Sequence, residues 1–371
     1  MLPNIISTLA LKPDKVVLIT SSEERFKKNA EYFKKYLGDQ VVLEMRETDA
    51  YDYLKTYDLC TEIIGEGAIL NVTGGTKLMA LGAFLAAKET KTPSIYIDTE
   101  NRNIIRLNEA DKVVEDIGFP RMKLFDFIHP IGIDIIETQI INEEMNAAIA
   151  KLAKTAITPD GLWLKFTQYI NCNKQRNGDN WSVPVEQTVN GKKNWLNLGF
   201  IKSLEDVNII SDVKTRNKEV FFKFTNQAYE HLLSMGGFVL EAYIYDVLRK
   251  SSILFDQIEV GVKFKWDDDS SEKKQNVQNE IDIVTCKAPL LGLVSCKMGK
   301  ENLTPALNEL DLYAKRFGGI YARKVLVTSL NRSSVSQLVY KRAEKMGINV
   351  FVYEDIMCSD FGDTLARVLS V

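Results

Sequence analysis

Histidine is almost absent from this chain, which contains two, His129 and His231, among 371 residues. They stand far apart and lack the short helical spacing of a metalloprotease site. The five cysteines are scattered and form no CxxC pair, which fits neither a disulfide framework nor a zinc ribbon. Histidine-based acid–base chemistry and zinc–thiolate sites are therefore not expected, and carboxylates and lysines must carry any catalysis.

Long apolar runs and a strong charge of one sign are also missing. No apolar run reaches the roughly 18 residues of a membrane span, and the first residues lack the positively charged start of a signal peptide. The formal net charge of −3 argues against a globally basic DNA-coating protein but permits a local basic groove. Together with the unpaired cysteines, this predicts a cytoplasmic protein without membrane contact.

Apolar strands alternate with amphipathic helices from Val16 to about residue 100, in a chain long enough for two or three domains. This alternation predicts a parallel α/β sheet of the Rossmann type. Ligands of such sheets collect at the carboxyl ends of the strands, so the loops after Thr20 and Thr73 are the expected binding region. The strand sequences are VVLIT, VVLEM, AILNVT and SIYIDTE.

A short turn, TGGTK from Thr73 to Lys77, joins the third strand to the next helix. Gly74 and Gly75 let the backbone approach a ligand closely, and the free N–H groups at the helix start favour an anion. Because Thr76 rather than glycine precedes the lysine and the earlier glycine is missing, the turn is not a Walker A loop. It does not match the GxGxxG fingerprint either, so ATP and NAD are both disfavoured as the main ligand. The alternative interpretation is a tight turn with an exposed lysine.

A second polar loop, TSSEE, follows the first strand and contains Ser21 and Ser22. With both loops, residues 1–140 resemble CARF domains, the Rossmann-like sensors of cyclic oligoadenylates in type III CRISPR defence. The resemblance implies that Ser21, Ser22 and residues 73–77 contact the messenger. It also implies a homodimer, because the twofold-symmetric ring of cyclic tetra-adenylate suits an isologous interface. Asp98 is interpreted either as a residue at the border of the pocket or as a turn residue.

Charged residues stand on one side of an otherwise apolar hairpin, NEIDIVTCKAPLLGLVSCK, which runs from residue 279 to 297. Strand alternation predicts that Glu280 and Asp282 share one face of its first strand, and that Ser295 and Lys297 share one face of its second. Unpaired buried charges destabilise a fold, so these charges require compensation. A bound metal ion would provide it.

This part of the chain resembles the PD-(D/E)xK nuclease fold. In that fold a carboxylate on a helix is followed by an aspartate on a strand and a lysine on the next strand, and here the same order is given by Glu241, Asp282 and Lys297. The resemblance implies a divalent cation, Mn or Mg, that activates water and neutralises phosphate. It also implies that the lysine orients the attacking water or helps to deprotonate it.

One position departs from the nuclease pattern, because Ser295 stands where the family has Glu or Asp. Either the site is weakened, or Glu280 supplies the missing charge while the Cys296 carbonyl and the Ser295 hydroxyl or a water complete the metal shell. The alternative is a charged surface hairpin or a degenerate nuclease that only binds. The expected catalytic residues are Glu241, Glu280, Asp282, Ser295 and Lys297, and the expected metal ligands are Glu280, Asp282 and Cys296.

We predict three parts: a CARF-like domain at residues 1–140, a connector at 141–235 and a nuclease-like domain at 236–371. The connector starts with a helix and a polar, weakly patterned stretch, then continues with a helix, a two-stranded wing and a helix, which is a winged-helix-like pattern. Between residues 310 and 350, eight basic residues fit a groove for phosphates or a solvated helical face. They are Lys315, Arg316, Arg323, Lys324, Arg332, Lys341, Arg342 and Lys345.

The combination of these parts resembles the CRISPR ancillary nucleases that cyclic tetra-adenylate switches on. It implies a metal-dependent endonuclease that cuts single-stranded DNA, RNA or both, with nicking of supercoiled DNA as a further alternative. One alternative is a cyclic-oligoadenylate-responsive transcription regulator with a DNA-binding connector and an inactive C-terminal domain. A second alternative is a restriction-type nuclease that needs no messenger.

Overall fold

The structure is a computed structural model that describes residues 1–107, 118–178, 180–266, 279–299 and 302–371. Its N-terminal part alternates helices and strands, as the sequence predicts. The elements are α1 (Leu2–Leu11), β1 (Lys15–Thr20), α2 (Glu24–Leu37), β2 (Val42–Glu47), α3 (Tyr53–Ile63), β3 (Leu70–Asn71), α4 (Lys77–Glu89), β4 (Ser94–Asp98) and β5 (Asn103–Arg106).

The predicted parallel pairing is present in this part, but not as one continuous sheet. In the described residues β1 pairs with β2 and β3 pairs with β4, both in parallel, and β5 adds to β4 in the antiparallel direction. Strand β3 has two residues, so few ladder hydrogen bonds are available there. The contact between β1 and β2 continues just past their carboxyl ends, where the Thr48 N–H donates to the Thr20 carbonyl at 2.9 Å.

The middle part contains more strands than the sequence pattern predicts. The polar stretch that lacks clear periodicity forms four short strands, and the expected helix, wing and helix are present as α8, β11–β12 and α9. The elements are α5 (Leu124–Ile128), β6 (Ile133–Gln139), α6 (Glu143–Ala156), α7 (Leu162–Asn173), β7 (Gln175–Asn177), β8 (Asn180–Pro184), β9 (Glu186–Val189), β10 (Lys192–Trp195), α8 (Leu198–Asp206), β11 (Ile210–Arg216), β12 (Glu219–Phe224) and α9 (Gln227–Ser234).

A six-stranded mixed sheet organises the C-terminal part, in the order β17-β16-β15-β14-β13-β6. Strand β6, inside the range predicted for the first domain, pairs antiparallel with β13 and so belongs to this sheet. The elements are α10 (Phe238–Arg249), β13 (Gln257–Trp266), β14 (Asn279–Lys287), β15 (Leu290–Lys297), α11 (Thr304–Phe317), β16 (Ala322–Thr328), α12 (Gln337–Lys345), β17 (Ile348–Phe351), α13 (Tyr353–Ile356) and α14 (Phe361–Ser370).

Two apolar cores lie against this sheet, and neither is confined to one predicted domain. One core joins residues of α10 and α14 to those of α6, α7 and the connector strands. The other joins α11 and α12 to Ile5 of α1 and to Ile95 and Ile97 of β4. The N-terminal part is therefore packed into the same core as one side of the large sheet.

Candidate active site and anion-binding loops

The charged end of the β14–β15 hairpin is organised around one carboxylate oxygen. The antiparallel register runs from Lys287↔Leu290 to Ile283↔Val294 and stops before Asp282. Beyond that point Oδ2 of Asp282 accepts hydrogen bonds from the Cys296 N–H at 2.6 Å and from the Ser295 hydroxyl at 3.2 Å. Lys297 Nζ lies 3.6 Å from the same oxygen. Beyond the last main-chain pair of the hairpin, the Asp282 side chain therefore makes the hydrogen bonds that link β14 to β15.

Strand β14 passes from one apolar core to the other at this position. Ile281 and Ile283, which alternation places on one face, belong to different cores. Opposite Asp282, Gly261 of β13 has a left-handed φ of 57°, and an added Cβ there would lie 2.6 Å from Gln139. The pairing of β13 with β6 also shifts register between Val260 and Lys263. Such irregularities re-aim side chains next to functional sites.

The charges of three carboxyl groups act on one another at this end of the sheet. Burial, followed by the nearby Asp282 and Glu280 charges, raises the pKa of Glu241 to about 8. Burial and the Asp282 charge also raise the pKa of Glu280, while burial raises the pKa of Asp282 against the opposing effect of Lys297. Helix α10 and strands β14 and β15 therefore bring together the carboxylates and the lysine that the sequence predicts.

The acidic groups suit a hard divalent cation, but they do not form a complete cage of protein ligands. Within the described residues, no three His, Cys, Asp or Glu side chains are close enough to hold a metal. Mg²⁺ often takes only one or two carboxylates and completes its shell with water and substrate phosphate. The Cys296 thiol is buried, and burial raises its pKa well above the usual value. The group of this residue that the sequence analysis predicts as a ligand is its carbonyl oxygen.

The structure adds two residues that the sequence analysis missed. The Tyr313 hydroxyl donates to Glu309 Oε1 at 2.7 Å, one turn apart on α11. The Glu309 charge contributes to the raised pKa of Asp282, and the Asp282 charge contributes to the raised pKa of Tyr313. Their spacing of four residues on the helix after the lysine strand was the available signal.

Most side chains of the predicted basic face have bonding partners within the chain. At least five of its eight side chains bond to acidic, amide or main-chain groups, which leaves fewer charges for an external phosphate. The sequence excess alone therefore overstates the groove. The five are Lys315 and Lys324 with Asp311, Arg332 with Asp355, Arg323 with the Val371 carbonyl oxygen, and Arg342 with Asn308.

The glycine turn after β3 is held mainly by its two threonines. The Thr73 hydroxyl bonds to Asn71 Oδ1 at 2.7 Å and accepts from the Ile97 N–H at 2.7 Å. Thr76 caps α4 by accepting from the Met79 N–H at 3.2 Å, and it donates to the carbonyl of Ala50 in the loop after β2. These hydroxyls fix the loop, so backbone N–H groups and Lys77 are what the turn presents outward.

The other predicted loop residues differ in exposure. Gly74 and Lys77 are exposed, and Lys77 is the first residue of α4. Ser22 is exposed, whereas Ser21 is buried and its hydroxyl has no hydrogen-bond partner in the described part of the chain. An unpaired buried hydroxyl is destabilising, and a ligand atom would satisfy it.

Asp98 and Gly75 both serve turn geometry. The Asp98 carboxylate accepts from the Asn101 N–H at 3.0 Å and from its side-chain amide at 2.7 Å, which closes the turn between β4 and β5. Gly75 has a φ of 78°, in the left-handed region that favours glycine. Of the two interpretations of Asp98, the turn residue is the one that these bonds support.

Comparisons with known families divide the chain in two. The family model described as the Card1 CARF domain matches residues 1–126, and the model described as the Card1-like endonuclease domain matches residues 227–358. These matches confirm both resemblances inferred from the sequence. No match is found among curated proteins.

Among the described residues, no helix is long and apolar enough to cross a membrane.

Solved structures share the fold at low identity. Can2 from Sulfobacillus thermosulfidooxidans, in complex with cyclic tetra-adenylate, is 21% identical with a TM-score of 0.68, covering 99% of this chain and 95% of that one. Protein VC1899 from Vibrio cholerae is 14% identical with a TM-score of 0.76 and the same coverage of both chains. A type III CRISPR defence DNA nuclease activated by cyclic oligoadenylate is 16% identical with a TM-score of 0.52, covering 88% of this chain and 43% of that one.

Proposed function

We propose that this chain, which joins a CARF domain to a Card1-like endonuclease domain, is a nuclease that cyclic tetra-adenylate activates in type III CRISPR antiviral defence. Its substrate is single-stranded DNA, RNA or both, and its cofactor is Mn or Mg. The observation that carries the proposal is the cluster of Asp282, Lys297 and two further carboxyl groups at one end of the endonuclease sheet.

The residues of the cluster have separable roles in this proposal. Asp282, with Glu241 or Glu280, holds the cation; when bound, the cation neutralises phosphate charge and lowers the pKa of water. Ser295 and the Cys296 N–H fix Oδ2 of Asp282, which leaves Oδ1 as the oxygen without a described hydrogen bond. Lys297 positions the attacking water or holds the phosphate. Ser295 is thus a positioning residue that does not replace the missing carboxylate.

The sensor role rests on the two loops at the carboxyl ends of β1 and β3. Lys77 and the N-terminal N–H groups of α4 offer positive charge to a phosphate, and Ser21 offers an unpaired hydroxyl. A solved structure of similar fold, Can2, binds cyclic tetra-adenylate. This ligand has several phosphates, so two copies of the loops would engage it better than one.

A homodimer would supply those two copies, and α4 carries a suitable surface. Leu78, Leu81 and Leu85 recur on one side of this helix and are 37%, 45% and 37% exposed. The helix begins at the glycine turn, so an isologous contact through it would bring two turns together. We therefore place the dimer interface on this helix.

A direct contact connects the two matched domains. The Thr99 hydroxyl, one residue after β4, donates to the Tyr321 hydroxyl at 2.5 Å, just before β16 of the endonuclease sheet. The shared core also joins Ile95 and Ile97 to Leu307 and Leu310 of α11. Messenger binding that repositions β4 would thus shift the population of the active arrangement.

Cleavage assays test the proposal directly. Labelled single-stranded DNA and RNA are incubated with the full chain, with and without cyclic tetra-adenylate, in Mn, Mg or EDTA. We expect cleavage only with both the activator and a divalent metal. Cleavage without activator would support the restriction-type alternative, and activator-dependent DNA binding without cleavage would support the regulator.

A further inference from the structure

The middle part of the chain carries a basic groove that the proposed nuclease does not use. Its sheet, in the order β11-β12-β8-β7, buries Val183, Ile210, Val220 and Phe222 on its inner side. The outer side forms a groove of about 350 Å³. It is lined by Asn180, Asp212, Lys214, Arg216, Phe221 and Lys223.

The charges of this groove are not balanced within the fold. Lys223 pairs with Asp212 at 3.7 Å. Lys214 and Arg216 are exposed and have no ion-pair partner among the described residues. They are two positions apart on β11, so strand geometry separates them by roughly 7 Å on the same side of the sheet. Two such cations in a row fit neighbouring phosphates of one strand.

An aromatic ring lies beside these cations. Phe221 on β12 is directly opposite Lys214 in the strand register and is half-buried, with part of its surface facing the groove. A sheet face that combines cations with an accessible aromatic ring binds single strands, because phosphates pair with the cations while an unstacked base packs on the ring. Asn180 adds an amide that can bond to a base or sugar edge.

The helix that precedes this hairpin argues against a duplex. In a winged-helix domain a helix in this position enters the major groove beside two rows of phosphates. The exposed side chains of α8 include Lys202 but also Glu205 and Asp206 in its last turn, so like charges would meet the DNA backbone. The favourable charge is on the sheet and not on the helix.

We propose that the outer face of this sheet is a second binding site for single-stranded nucleic acid, separate from the endonuclease centre. It would hold a strand whether or not the strand is cut. The inference goes beyond the proposed cleavage activity and does not depend on it.

Binding measurements on the full chain test the site without catalysis. Fluorescence polarisation is recorded with labelled dT20, rU20 and a 20-base-pair duplex, in EDTA and without activator, with gels to confirm intact strands. Lys214→Glu/Arg216→Glu should weaken single-strand binding at least tenfold and lower the salt slope by about 1.4, because two phosphate contacts are lost at about 0.7 each. Phe221→Leu, which keeps apolar packing, should weaken it about tenfold through lost stacking.

The matched control is Lys151→Glu/Lys154→Glu, which makes the same charge change at exposed positions of α6. An equal loss in this control, or unchanged affinity in the groove variants that melt like wild type, would overturn the site. A larger loss for the duplex than for single strands would overturn the single-strand assignment. Wild-type cleavage is measured separately, so failure of the nuclease proposal leaves this result standing.

Discussion

Asp282 and Lys297 illustrate how single atoms define the proposed centre. Oδ2 of Asp282 accepts hydrogen bonds from Ser295 and Cys296 and forms an ion pair with Lys297. A hydrogen-bonded carboxylate of this kind is fixed in orientation, whereas its other oxygen keeps its capacity to accept a ligand. Changes at either residue should therefore affect chemistry more than folding.

Asp282→Asn and Lys297→Ala are each expected to reduce the cleavage of single-stranded substrate at least a hundredfold. The first variant removes the proposed ligand of the cation. The second removes the positive charge beside the attacking water. Affinity for cyclic tetra-adenylate, measured by calorimetry, should stay within twofold. Lys151→Ala, at an exposed position of α6, is the matched control. A fully active Lys297→Ala protein would contradict the assignment of this centre.

The raised pKa of Glu241 predicts a pH dependence of stability. The folded protein holds a proton on Glu241 up to about pH 8, whereas the usual value for the group is 4.5. Between these values the folded state binds more protons than the unfolded state, so the free energy of unfolding falls as pH rises towards 8 and then levels off.

Glu241→Gln should reduce this decline, by a few kcal/mol at most. The measurement is urea unfolding in EDTA at pH 5, 6, 7 and 8. Glu62→Gln, at an exposed position of α3, should leave the decline as in wild type. Equal pH dependence in wild type and Glu241→Gln would show that Glu241 does not hold a proton in the folded protein.

At the scale of elements, α4 has two ends with opposite consequences for an anion. Its first turn contains backbone N–H groups and Lys77, and its last turn carries Lys88. The helix dipole favours negative charge only near the first turn. Position on the helix, more than charge alone, should decide which lysine matters for the ligand.

Lys77→Ala should therefore weaken cyclic tetra-adenylate binding about tenfold, because one charge-assisted contact with phosphate is lost. Lys88→Ala removes the same charge at the other end of the helix and should bind cyclic tetra-adenylate like the wild-type protein. Calorimetry without nucleic acid substrate measures both. Equal affinities for the two variants would remove Lys77 from the binding site.

Helix α4 also bears on assembly through its apolar stripe. Leu81→Glu should convert a dimer into a monomer at micromolar concentration, because a charge would be buried in the middle of the contact. Sedimentation velocity measures the change. Leu338→Glu, at a position on α12 that is 74% exposed, is the control. A Leu81→Glu protein that remains dimeric would place the interface elsewhere.

At the scale of the whole molecule, the sensor and the endonuclease sheet share one apolar core and a specific hydrogen bond. Rigid contacts of this kind can transmit a change between sites when two arrangements exist. The bond from Thr99 to Tyr321 is one contact whose removal need not disturb either site.

Tyr321→Phe keeps the ring and removes that bond, so we expect the stimulation of cleavage by cyclic tetra-adenylate to fall several-fold. Cleavage rates with and without activator give the ratio. Tyr96→Phe, at an exposed position of β4, should keep the wild-type ratio. The same ratio in Tyr321→Phe and wild type would exclude this contact from the coupling.

The sequence by itself determined the α/β class, most C-terminal helices and strands, and the two family resemblances. These inferences succeeded because apolar periodicity and short motifs are local properties of the chain. The sequence also predicted Glu241, Asp282 and Lys297 as one site, and the structure brings these groups close enough for their charges to act on one another. Strand β6 was missed because its partner, β13, is more than a hundred residues away in the chain.

Only the tertiary structure decided how the predicted residues are used. It assigned the hydroxyls of Thr73, Thr76 and Ser295 to internal hydrogen bonds, and it paired most of the basic face with partners inside the fold. It also placed Glu309 and Tyr313 beside Asp282. Whether a polar side chain faces a ligand or a neighbour depends on long-range packing, which residue type and spacing do not specify.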